Sequence, residues 1–151
     1  MSSLPLHPAI VHLPLGIAVA LPFIALGLLA ALWRGALPRR AWAVILGLQI
    51  LLQATGFMAL RTGEGEEDRV EDRLSHAAIH EHEERAEAFM VGAGIVLALS
   101  VGVLLIRREK VTRWLAVATT AGTLVVAGLA ISTGEAGGQL VFGDQGSLTN
   151  R

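Results

Sequence analysis

Five histidines carry most of the chemistry open to this chain. They fall in two places: His7 and His12 near the start, and His76, His80 and His82 just past the middle. Imidazole nitrogen is an axial ligand for haem iron and a common ligand for zinc. The chain has no cysteine, which excludes disulfides, thiolate-held clusters and covalent haem attachment. Any metal must then be held by histidine, carboxylate, methionine or backbone. His12 sits among Val11, Leu13 and Leu15, inside an apolar run where ionisable side chains are rare and usually face a bundle interior or cavity. His7 precedes Pro8 at the expected N-cap. His80 follows His76 by four positions, the spacing at which two imidazoles share a helix face and can bind a metal. Their acidic surroundings favour a solvated surface over a metal site.

The elements that must position these residues are long and greasy. Of 151 residues, 53% are apolar and only 17% charged, and the mean hydropathy is +0.58, the balance of a membrane protein. Four stretches, residues 9–33, 41–60, 86–106 and 114–132, are long enough to cross a hydrocarbon layer of about 30 Å at about 1.5 Å per residue. They lack the alternation of barrel strands, so an internal helical ladder is the way left to satisfy their backbone in lipid. The expected architecture is all-α: an integral membrane four-helix bundle forming a single domain over residues 1–151. The first run lacks Lys or Arg before it and exceeds a typical signal core, so it is expected to remain as a helix of the mature protein. Pro14 and Pro22 would free the carbonyls of Ile10 and Ala18, predicting local kinks.

Charge sets the expected orientation. Arg34, Arg39 and Arg40 follow the first span; Arg107, Arg108, Lys110 and Arg113 separate the third from the fourth, opposed only by Glu109. Such loops stay on the cytoplasmic side. The segment between spans two and three, Arg61 to Glu87, carries ten acids against four arginines and should face outward with both termini.

Each half of the chain runs histidine, apolar span, basic loop, apolar span, Thr-Gly-Glu. His12 precedes Thr62 by 50 positions and His82 precedes Thr133 by 51. This predicts two parallel helical-hairpin repeats, related by an axis along the membrane normal, which would bring His12 and His82 to one outer boundary. Thr-Gly is also a common helix ending, and two hairpins of similar length would give the same distances. Stepping back from the third span by threes and fours places Ile79, His82, Ala86, Phe89 and Ala93 on one apolar stripe. Gln49 and Gln53, one turn apart, should face protein, where they could line a cofactor pocket but are expected rather to bond neighbouring helices.

Two imidazoles from different helices suit the axial positions of haem b, with Arg61 and Arg85 near enough to pair with propionates. The competing arrangement is a zinc or iron site built from His12, His82, Glu64 and Glu135. A third possibility is a cofactor-free anchor or assembly subunit. The first two would make the chain an electron-transfer or metal-binding module, and none of the three requires catalysis. No nucleophile–base arrangement or phosphate-cradling glycine loop is present, and the cations sit in loops that topology explains, so neither an enzyme site nor a nucleic-acid partner is expected.

The segments HPAIVHLPLG, IHEHEERAEAF and STGEAGGQLVFGDQG resemble a family of bacterial four-helix membrane proteins known mainly as a domain of unknown function. The family pattern falls here on His7, Pro8, Val11, His12 and Pro14, then His82 and Glu83, then Thr133, Gly134, Gly137 and Gly138. The likeness spans nearly the whole chain. Family members are sometimes fused to Rieske or cytochrome c domains. The resemblance therefore implies a bacterial membrane protein with a membrane or periplasmic redox partner, and the loop charges add the expectation of a multi-pass inner-membrane protein with both termini periplasmic. Self-association into a homo-oligomer is also open. Many relatives carry histidine where this chain has Glu135, a departure that leaves His12 and His82 as the expected ligands.

Overall fold

A computed structural model describes the backbone over residues 6–70 and 76–142, and side chains over 11–63 and 79–138. It contains four long helices: α1 (Leu6–Trp33), α2 (Ala43–Val70), α3 (His76–Leu105) and α4 (Glu109–Phe142), with a short 3-10 helix over Arg39–Trp42 leading into α2. No strand occurs among the described residues. Each helix contains a segment long and apolar enough to cross a membrane, so the chain has the make-up of a multi-pass membrane protein. α1 packs against α2 and α4, α3 packs against α2 and α4, and the α3–α4 contact is the most extensive. The four form an all-α four-helix bundle.

The helices outrun the apolar stretches. α2 continues ten residues past the expected end at Leu60, α3 begins ten residues before Ala86, and α4 runs from Glu109 to Phe142 rather than from Trp114 to Ser132. Hydropathy marks where a chain suits hydrocarbon, whereas the backbone ladder continues into water wherever no residue breaks it. Neither Thr-Gly pair ends its helix. α1 is likewise assigned as one helix through Pro14 and Pro22, both of which are buried.

α1 does end on a glycine. Gly35 has φ of +71°, a left-handed conformation costly for side chains bearing Cβ. The amide of Gly35 donates to Leu32 O (3.1 Å) and that of Ala36 to Ala31 O (2.9 Å), the bond pair of a Schellman cap.

The buried faces repeat along the chain. Ala18, Ala25 and Leu29 of α1 are buried, and so are Phe89, Val96 and Ser100 of α3, each 71 positions later. The same offset relates Ile45, Gln49, Leu52 and Thr55 of α2 to Ala116, Thr120, Thr123 and Val126 of α4. Both hairpins therefore turn equivalent helical faces inward, which supports the reading of the halves as parallel repeats.

Candidate functional site

α3 and α4 are knitted together at the histidine end. The Arg85 guanidinium donates to Ser132 O (3.2 Å) and Ser132 Oγ (3.1 Å), and also pairs with Glu81 one turn away. Thr133 Oγ1 donates to Arg85 O (3.1 Å) and to Leu129 O (2.9 Å). The His82 ring lies over Gly137, where a Cβ would stand 3.2 Å from its Cε1. Gly134, one turn inward, meets Leu15 of α1, 3.7 Å from the equivalent Cβ position. Gly134 and Gly137 thus admit Leu15 and His82 because neither carries a side chain. The spacing of the Thr-Gly-Glu-Ala-Gly-Gly segment was legible in the sequence, but not its packing role.

These contacts fix relative depth. His12 lies three residues outward of Leu15 on α1, and Gly137 three residues outward of Gly134 on α4, about 4.5 Å along each axis. His12 is therefore at the depth of Gly137, and so of His82. Depth alone does not make a shared site. His82 is half-buried on the apolar stripe expected for it, with Ala86, Phe89 and Ala93 buried below it. His12 is exposed and lines a shallow groove of about 240 Å3 with Gly16, Ala20 and Ile24 of α1 and Leu48 of α2. That face lies away from the α1 residues Ala18, Leu21 and Ala25, which point into the core.

The register explains the divergence. Buried positions recur at 71 residues, but the two histidines are 70 apart. A slip of one residue turns a side chain by about 100° around a helix. The structural counterpart of His82 is Val11, which is half-buried, and the counterpart of His12 is Glu83, which is exposed. The two imidazoles thus sit on differently turned faces of α1 and α3, His12 exposed and His82 half-buried.

Glu135 is exposed, and the side chains of His7, Glu64 and His76 lie outside the described residues. Among the described residues no three histidine, aspartate or glutamate side chains are grouped to hold a metal ion. His80 is exposed, with Nε2 3.4 Å from Glu84 and Nδ1 3.9 Å from Glu83, the solvated surface anticipated for that segment. Arg61 is exposed with its guanidinium 5.1 Å from the Phe57 ring centroid, a cation–π contact within α2. Gln53 Nε2 reaches Met90 O at 3.4 Å, while Gln49 is fully enclosed, its amide nitrogen and oxygen both without a hydrogen-bond partner among the described residues.

The chain matches no family model, no curated protein and no solved structure at a level that would show a relationship.

Proposed function

We propose that this chain is a membrane-embedded subunit of a redox complex, and that the outer half of α1 packs against another membrane chain. The observation supporting this reading is His12 on a lipid-side face beside Gly16 and Ala20, which are four residues apart. An imidazole is costly against acyl chains, and two small residues at that spacing let a second helix approach closely. The redox setting comes from the family resemblance, whose members are found fused to electron-transfer domains. The subunit's part in it is assembly rather than catalysis.

A second reading is favoured by the same exposed imidazole: a haem b at that contact, taking His12 as its axial ligand from this chain and the other from the partner. Bound there, haem would supply one-electron transfer. Zinc or iron at the outer boundary would instead require Glu64 and Glu135 to join His12 or His82.

The lack of native cysteine makes the test simple. With A20C in membranes, a thiol-reactive benzophenone, which inserts into nearby C–H bonds on irradiation, should yield one crosslinked protein species, while V125C, lipid-facing on α4, yields none. The mass of the product separates a second copy from another chain. Absorption and metal analysis of the uncrosslinked complex then divide the readings: a Soret band lost in H12A but kept in H82A indicates haem at the contact. Stoichiometric zinc or iron without that band indicates the carboxylate site. No crosslink, colour or metal overturns the proposal.

A further inference from the structure

At the end of the bundle away from the histidines, the last turns of α1, the loop through Arg39 and the start of α4 enclose a groove of about 850 Å3. Its walls carry Arg39, Arg107, Lys110 and Arg113, against the single acid Glu109. Arg113 is committed to Glu109 at 2.7 Å, and Arg39 Nη1 donates to Ile106 O at 2.6 Å. Thr112 Oγ1 donates to the same carbonyl at 2.8 Å, so Arg39 and Thr112 fasten two walls of the groove to the end of α3. Arg107 and Lys110 have no ion-pair partner among the described residues. Beneath them the lining is hydrocarbon: Leu29, Val103 and Ala116, all buried. Trp33 and Trp114 stand at the rim, 63% and 67% exposed.

Retention of basic loops on one side of a membrane accounts for cations here, but not for their lining a hollow with an apolar floor. Tryptophan pairs mark the depth of the headgroup region, which puts the charged rim at the level of lipid phosphates and the floor at the level of the first methylenes. The volume lies within the usual range of ligand pockets, roughly 300–1,000 Å3. A ligand matching both halves must carry a negative headgroup and an aliphatic tail, and basic pockets between membrane helices are known binding places for acidic headgroups.

We propose that this groove holds one anionic phospholipid of the adjoining leaflet, with its phosphate between Arg107 and Lys110 and its acyl chain over Leu29 and Val103. The inference rests on the membrane placement of the helices. It does not involve the outer face of α1, so it can fail while the assembly proposal stands, and the reverse.

The test uses the full chain in nanodiscs of phosphatidylcholine containing a minor fraction of brominated phosphatidylglycerol, which quenches nearby tryptophan. Quenching should saturate at one lipid per chain and should exceed that by brominated phosphatidylcholine at equal content. In R107Q/K110Q the binding should weaken roughly thirtyfold if each cation contributes its full interfacial share. R40Q/R108Q removes the same charge from the same end of the bundle without touching the groove lining, and should leave quenching unchanged. Equal quenching by both lipids in the unaltered chain overturns the proposal, and so does equal loss in the two double variants, which would reveal a diffuse surface charge. Displacement by millimolar inorganic phosphate as effective as displacement by unlabelled phosphatidylglycerol would show a simple anion site and overturn the lipid assignment.

Discussion

Gln49 is the largest polar side chain fully buried in the spans, and its amide makes no hydrogen bond to the described protein atoms. Enclosing an amide without partners is unfavourable, whereas an apolar group of similar shape carries no such penalty. Q49M should therefore stabilise the bundle by about 1 kcal/mol, read from unfolding in mixed micelles. A loss of stability would mean the amide is bonded within the bundle after all. The histidines give a paired expectation. H82A removes a ring packed on Gly137 and should cost about 1–2 kcal/mol, while H12A should fall within about 0.5 kcal/mol of the unaltered chain, as exposed positions do. Equal losses would place both imidazoles inside the bundle. The face of His82 was legible because polar and apolar residues alternate clearly around the start of α3. α1 is apolar nearly all round, so nothing in its pattern revealed which way His12 points, and the resemblance of the two halves assigned it a partner one residue out of register.

At the scale of elements, close approach of α3 and α4 depends on residues without side chains. A Cβ on Gly122 would stand 2.6 Å from Val96 Cγ2, and valine has few rotamers with which to give way. A Cβ on Gly56 would come as near to Met90 Sδ, but that thioether can swing aside. Gly128 has no atom within 4 Å of its Cβ position. G122A should therefore destabilise by about 1–3 kcal/mol, G56A by less, and G128A should be neutral or slightly stabilising. Unfolding of the three variants side by side checks the order, and a neutral G122A would show that the α3–α4 contact is looser than described. The sequence announced four spans by length and hydropathy, yet it could not mark where the helices stop. Ends such as Arg61–Val70 of α2 are rich in charged residues, which a hydropathy window counts against a span. Nothing in the sequence shows which neighbour fills the notch at each glycine.

At the scale of the whole molecule, four consecutive crossings would put both chain ends on one side, and the remaining choice is which. The two connections at the Arg39 end carry Arg34, Arg39 and Arg40, then Arg107, Arg108, Lys110 and Arg113, while the opposite connection is acidic. Orientation follows Lys and Arg in short loops, so the basic connections should be cytoplasmic. An alkaline phosphatase joined to the C-terminus should then be active, and a fluorescent protein at the same place should stay dark. The reverse pattern would invert the molecule and carry the histidines to the cytoplasmic side, away from any periplasmic electron carrier. The bias is shared between two loops. R34Q/R39Q/R40Q alone should leave the phosphatase active, since the second loop still holds its cations, and adding R107Q/R108Q/K110Q should produce chains of mixed orientation. If the first triple variant already flips the chain, the first connection dominates insertion, and the basic residues after α3 are then present for a reason other than topology, which the proposed lipid groove would supply for Arg107, Lys110 and Arg113.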